Sequence, residues 1–567
     1  MGQTVNRPPE REAFFDGESE STRTMSLFLP SQLRRAADAA ATRVPQAVRP
    51  AVPREDGPAE PPAPRRDRGG WRTAAPVLAL PTLLALVMLL PGLGDRQLWR
   101  DEHATWWAAS LSLHDLSVLT KSIDIVFIPY YLGMHLWIAV LGDSETALRV
   151  PGALAMAAAA GLLGLLGRHL FTARVGLLAG LALALVPGIT RYGQEVRPYS
   201  FAVAAVLLST LLLLRLLERH GFKGWCAYAL TVPLVGWSHL ASLCVLATHL
   251  ALVLRARRAG DRVASWAWTA AALIGLCLVL PMALAGSGQS GQIAWNNPTF
   301  HDLRTYPEQL FGSWAVAVPV LVLAVAGACL VRAYVLPFAL WAVLPPLLTF
   351  ATAAQLHLFL PRYLLFTVPA WVLLAAAALG RAGGRLNGEG PRALRAGGLV
   401  LGLLAVAGLA LAAQPGLRTA RADIVGEPDF RGSAAYLLAH QEKGDALAYG
   451  GTFSERRALD YELRDAPERP KDVLLYETPQ ELGSYGAREC PHPARCLATT
   501  KRLWLVTTSF GEDPYGDMPR ANAKAIRAGF RLADTKRLRQ VRVLLFTRAA
   551  AERPRDDGAA GRAVHTS

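Results

Sequence analysis

The run AAPVLALPTLLALVMLLPGL (residues 74–93), followed almost at once by LWRDEH (residues 98–103), decides the fold. About 20 apolar residues in a helix, rising 1.5 Å each, cross roughly 30 Å of hydrocarbon. Pro76, Pro81, Pro91 and Gly92 bend or end the run. Asp101 and Glu102 then stand side by side where the chain leaves the membrane. That is a costly place for two carboxylates unless water, a partner or a substrate receives them. The pair reads as the chemical centre of the protein.

The same pattern recurs along the chain. Of its 567 residues 52% are hydrophobic and 18% charged, where a soluble globular protein carries about a quarter charged. This is the composition of a polytopic α-helical membrane protein. The net charge of +15 does not form a nucleic-acid-binding stripe, because Lys and Arg fall in short segments between apolar runs and in the two tails. No nucleic-acid partner is expected; the lipid bilayer is. Heavy use of Ala, Leu, Arg and Gly suggests a GC-rich, bacterial source.

Residues 1–72 carry no apolar run and are rich in Pro, Ala and Arg from Pro45, which reads as a disordered basic cytoplasmic tail without a cleavable signal peptide. With the first span running outward, residues 95–143 form a long outer loop. Amphipathic, aromatic-rich interfacial helices are expected there over 101–113 and 129–141. Eleven spans then satisfy the positive-inside rule, keeping Arg168, Arg219, Arg255, Arg332 and Arg381 on one side of a transmembrane domain over 73–413. Residues 414–549 change composition and read as a small extracytoplasmic α/β domain. Helices are expected over 430–442 and 521–528, and strands over 445–449, 503–508 and 541–547. Residues 550–567 read as a disordered tail. Cys490 and Cys496 fall in the domain facing the oxidising side and are expected to pair, the alternative being two free thiols.

With that topology the outer span ends collect Asp101, Glu102, Asp124, Glu195, Arg197, Tyr199, His239, His357, Arg362 and Tyr363. Acids of this kind activate a hydroxyl, and arginines hold an anion. Each has a plainer reading. Asp101, Glu102 and Asp124 suit the first turn of a helix. Arg197 and Arg362 suit snorkelling to headgroups, although positive charge is disfavoured at outer ends. His239 and His357 suit local hydrogen bonding in turns. Two adjacent acids without a third clear oxygen ligand do not make a metal site, so a divalent cation is left open as a cofactor.

Leu98-Trp99-Arg100-Asp101-Glu102, an acid before Pro129-Tyr130-Tyr131, and the run from Gly142 to Pro151 stand in this order. Together with Gln194-Glu195-Val196-Arg197-Pro198-Tyr199 and Pro361-Arg362-Tyr363, they resemble the GT-C superfamily of membrane glycosyltransferases. The likeness is to the branch holding protein O-mannosyltransferases and the aminoarabinose transferase of lipid A, and it covers about residues 74–380. The resemblance implies a polyprenyl-phosphate-linked sugar donor, most simply a mannosyl donor, and an extracytoplasmic glycan, lipid or protein acceptor. It also implies transfer with inversion. It makes Asp101 the general base, with Glu102 orienting it or helping to bind the acceptor, and Asp124 the acid before the second interfacial helix. It gives Arg197 and Arg362 the departing lipid phosphate, with Tyr199 and Tyr363 as hydrogen-bonding neighbours. A transporter or flippase of lipid-linked sugars is the competing reading. It is disfavoured because no internal repeat is visible and the ionisable residues gather at one face.

Overall fold

The computed structural model describes residues 71–382, 392–451, 454–511, 513–516 and 518–549. The two tails expected at 1–72 and 550–567 lie outside these, apart from residues 71 and 72. Among the described residues eight helices are long and apolar enough to cross a membrane, and ten if each of two bent pairs makes one span. The pairs are Ala173–Leu185 with Pro187–Gly193, bent by 63°, and Phe300–Phe311 with Trp314–Leu330, bent by 94°. Each break has a local cause: Pro187 forces a restart after extended Val186, and Gly312 takes a left-handed turn at φ 84°.

Phe222–Ser238, expected as the fifth span, has 17 residues, about 26 Å of helix, at the short end of the range that crosses hydrocarbon, and with it the described residues supply the expected eleven. It packs between Tyr199–Leu216 and Arg262–Ser287.

The first span, Trp71–Leu89, lies against Glu145–Leu170 and Ala173–Leu185. The approach is close because Gly164 has no Cβ, and one placed there would run into the Val77 carbonyl. Outward-facing positions carry Leu83, Val87, Leu278 and Leu284, all exposed, as a lipid-facing surface requires. His249 is buried within the bundle, and its two ring nitrogens bond Tyr228 and Thr210 at 2.7 and 3.0 Å.

After the first span the chain forms Arg100–Ser110, Leu113–Ser122 and Ile128–Leu141. The last of these was expected to be amphipathic, but it is apolar around its circumference, exposing Leu132, Leu136 and Val140.

The C-terminal part contains the expected α/β domain. Its strands are β1 (Ala446–Tyr449), β2 (Lys471–Asp472), β3 (Leu475–Glu477), β4 (Arg488–Glu489), β5 (Arg502–Thr507), β6 (Phe530–Leu538) and β7 (Val541–Arg548). The main sheet has the order β2-β1-β5-β7-β6, parallel over its first three strands and antiparallel over the rest; β3 and β4 form a separate ribbon. Phe430 and Leu437 of the helix Phe430–His440 pack on Leu447, Trp504 and Val506. On the other face Ile526 of Arg520–Gly529 packs with Ala448, Leu503 and Leu505. Cys490 and Cys496 form a disulfide.

This domain is seated on the first loop. Tyr461 Oη donates to the Asp143 carbonyl at 3.1 Å, Trp106 Nε1 donates to Asp143 Oδ2 at 2.9 Å, and Arg464 Nε lies 3.2 Å from the same oxygen. Nearby, Gln97 Nε2 donates to the Pro428 carbonyl at 2.7 Å and Arg431 Nη2 to Glu145 Oε1 at 2.9 Å.

Candidate active site

Trp99 caps the Arg100–Ser110 helix, with Glu102 reaching back to its backbone N–H at 3.2 Å, and this turn aims Asp101 and Glu102 in different directions. Glu102 is fully buried. Arg149 grips it through Nε to Oε1 at 2.9 Å and Nη2 to Oε2 at 2.7 Å, while the Val196 N–H donates to Oε1 at 2.9 Å. Burial pushes this carboxyl up, but the charge and hydrogen bonds of Arg149, with Arg96 and Val196, outweigh it and hold it down to about 2. With both oxygens engaged, Glu102 has none free for a proton or an acceptor. It fixes the turn that carries Asp101, and Arg149 is the partner that sequence reasoning missed.

Asp101 is the freer acid. Among the described residues its side chain pairs with Arg362 alone, at 3.8 Å, and it stays 26% exposed. The Arg362 guanidinium lies 5.6 Å from the Trp99 ring centroid and 5.5 Å from that of Tyr363. Arg197 is buried, 4.4 Å over the Phe127 ring, and donates to Thr105 Oγ1 at 3.2 Å. Burial acts to lower its guanidinium, yet Tyr199, Asp101, Tyr131 and Asp124 keep it well above its ordinary value.

Tyr199, His239 and Tyr363 form an aromatic cluster, with ring centroids 4.5 Å apart for His239 and Tyr363 and 5.9 Å for the other two pairs. Burial, then the charges of Arg197 and Arg362, push His239 down to about 3, so it is neutral at any working pH. Around this cluster Arg197 Nε, Arg362 Nε, Tyr199 Oη and His239 Nδ1 are buried with no hydrogen-bond partner among the described residues. Buried polar atoms are nearly always paired, so four unpaired ones in one cluster mark a place built for a polar ligand.

Asp124 sits in the left-handed region at φ 58°, which Asp tolerates better than most residues. Its Oδ2 accepts from Tyr131 at 2.8 Å and from Tyr485 at 2.7 Å. Tyr485 belongs to the C-terminal α/β domain, and the Arg457 guanidinium lies 4.3 Å over its ring. Burial lowers Arg457 against the pull of Tyr485, Tyr131, Asp124 and Asp101. Arg457 and Tyr485 are thus parts of the site that no motif signalled.

Two expected residues lie elsewhere. Glu195 is buried with Arg191 Nη2 3.0 Å from its Oε1, and burial pushes its carboxyl up against Arg191 and Arg96. His357 takes a left-handed conformation at φ 52°, and its Nδ1 bonds the Asn296 backbone carbonyl at 2.9 Å, tying two loops together. His357 is held by its own loop partner, whereas both Glu195 carboxylate oxygens are buried without a hydrogen-bond partner among the described residues. Among the described residues no three His, Cys, Asp or Glu side chains gather as metal ligands.

An apolar groove of about 760 Å³ runs beside the cluster, between Tyr130, Trp137 and Phe201 on one side and Leu234 and Trp237 on the other. Pro198 and Ser238, the chain neighbours of Arg197, Tyr199 and His239, are among the residues that line it.

Residues 126–284 match the family described as dolichyl-phosphate-mannose-protein mannosyltransferase. The fold is similar to that of ArnT from Cupriavidus metallidurans in the apo state, at 13% identity and a TM-score of 0.55, over 83% of this chain and 98% of that one. The same enzyme bound to undecaprenyl phosphate gives 13% identity and a TM-score of 0.56, over 82% of this chain and 97% of that one. No curated protein sequence matches the chain.

Proposed function

We propose that this chain, a multi-span membrane protein of GT-C glycosyltransferase fold, moves a hexose, most simply mannose, from a polyprenyl-phosphate donor to an acceptor hydroxyl at the extracytoplasmic face. The observation that carries the reading is the set of unpaired buried donors on Arg197, Arg362, Tyr199 and His239 beside a nearly free Asp101. A lipid phosphate supplies the oxygens those donors lack, and its isoprenoid chain suits the apolar groove.

Chemistry follows from the charges. The acceptor oxygen attacks the anomeric carbon, the bond from that carbon to the phosphate oxygen breaks, and the phosphate leaves with the electron pair. Arg197 and Arg362 stabilise the charge that develops there, so no general acid is needed. The hydroxyl proton passes to Asp101. Arg362 lies 3.8 Å from Asp101, which puts the proton acceptor beside a cation that also faces the lipid phosphate. Direct attack opposite the phosphate inverts the anomeric centre. Asp124, held by Tyr131 and Tyr485, carries a second negative charge beside the sugar.

The test is transfer from a panel of radiolabelled polyprenyl-phosphate sugars into membrane or oligosaccharide acceptors, with the anomeric configuration of the product read by NMR. The expected product is glycosidic, with the configuration opposite to the donor's. Retained configuration would refute direct attack, and label crossing the bilayer still joined to its lipid would favour a transporter.

A further inference from the structure

Away from the aspartate–arginine cluster, the α/β domain holds a second cleft of about 460 Å³, within the ~300–1,000 Å³ of small-molecule sites. It lies over the β1–β2 edge of the sheet, beside the helix Ser454–Glu462. Its floor is apolar and aromatic, made by Leu447, Tyr449 and Leu463.

Its walls are charged with both signs. Arg456 lies 4.9 Å over the Tyr449 ring and is only 6% exposed. Its Nε donates to Asp472 Oδ2 and its Nη2 to Glu489 Oε1, each at 2.8 Å, while Nη1 has no partner among the described residues. Asp460 stands across the mouth with Arg469 Nη1 3.9 Å from its Oδ1, an ion pair too long for a hydrogen bond.

We propose that this cleft binds a saccharide, and that the saccharide is the glycan part of the acceptor. The acceptor role rests on the transfer reading above; saccharide binding itself does not. With the Arg456 guanidinium lying over the Tyr449 ring, the apolar and aromatic floor closes the cleft from below and leaves recognition to its polar walls. Planar carboxylate and guanidinium groups around it offer paired acceptors and donors to vicinal hydroxyls. The balance of signs argues against a simple anion or cation. Placement supplies the link to transfer: Arg456 and Arg457 are consecutive on one short helix, the first lining this cleft and the second stacked on Tyr485, which bonds Asp124. One short helix thus carries both a wall of the cleft and the side chain that stacks on the Tyr485–Asp124 pair.

The experiment uses the full chain in lipid nanodiscs, without donor, and soluble di- and trisaccharides of hexoses and N-acetylhexosamines, read by saturation-transfer NMR. At least one saccharide should give ring-proton signals. These should weaken about tenfold or more in Asp460→Asn and in Arg469→Gln, as expected when one charged hydrogen bond is lost. Asp101→Asn should bind as the intact protein does, which separates this proposal from the transfer reading. In transfer assays Asp460→Asn should raise the acceptor KM while leaving kcat and the donor KM nearly unchanged. Absence of signal from every saccharide, signals untouched by both cleft variants, or displacement by inorganic phosphate alone would overturn the proposal.

Discussion

Replacing Glu102 by Gln takes one charge from a fully buried pair and leaves the Arg149 cation with neutral acceptors, the amide oxygen and the carbonyls of Leu93, Arg96 and Gln97. A loss of about 3–5 kcal/mol is expected in denaturant or thermal unfolding of the solubilised protein. The pH dependence has a definite sign. A carboxyl held at about 2 in the fold, against an ordinary 4.5, stabilises fully above pH 4.5 and loses that contribution as pH falls toward 2. Glu102→Gln should therefore flatten the acid limb of a stability profile. Asp101→Asn should do the reverse: stability changes by less than about 1 kcal/mol, since its one ion pair is long and partly exposed. Transfer, in contrast, should fall roughly 100-fold or more. The adjacent acids were legible in the sequence, but their division of labour was not. The groups that sort them, Arg149 and the Val196 N–H, lie 47 and 94 residues further along the chain. The same distance problem hid the fate of His357, whose partner Asn296 looks like an ordinary loop residue until the loops are folded together; Arg191, four residues before Glu195, was within reach of a sequence reading.

The short helix Ser454–Glu462 and the loop carrying Tyr485 bring the α/β domain to the reacting groups. Tyr485→Phe removes one of two tyrosine hydrogen bonds on Asp124 Oδ2. A drop of about tenfold in kcat/KM is expected, with the unfolding midpoint nearly unchanged. Arg464→Ala, which removes the contact with Asp143 and the stacking on Tyr461 without touching Asp124 or Tyr485, serves as the control for loosened docking. If both variants lose activity in step, Tyr485 acts through docking alone. Reducing the Cys490–Cys496 bond, or Cys490→Ser, should cost about 2 kcal/mol from the short loop it closes and should leave the transmembrane part unaffected. The domain's buried strands β1, β5 and β7 were legible from their apolar runs, and the long C-terminal helices from their periodicity. Strand β6 was not, because Arg531 to Arg537 are exposed along its length and no alternation marks it. Ser454–Glu462 was missed for a related reason: it is short and polar, and buries Glu455, Arg456 and Arg457 in ion pairs and ring contacts instead of an apolar stripe.

Across the whole molecule, the spans were readable because lipid demands long apolar runs, down to the 17-residue helix Phe222–Ser238. The seating of the α/β domain on the first loop was not readable, since its contacts join Gln97, Trp106 and Asp143 to Pro428, Tyr461 and Arg464. It has a consequence for topology: the first loop and the C-terminal domain share one side of the membrane. Protease added to sealed inverted vesicles should spare that domain, whereas protease added to spheroplasts should cut it; the opposite pattern would put both on the cytoplasmic side. The most direct measurement is sugar transfer in proteoliposomes from a labelled polyprenyl-phosphate mannose, comparing intact protein with Asp101→Asn at equal amounts and equal donor binding. Transfer by the intact protein, falling roughly 100-fold or more in the variant, is the expected result. Equal transfer by both would contradict Asp101 as the base, and label crossing the bilayer unchanged in both would contradict the glycosyltransferase itself.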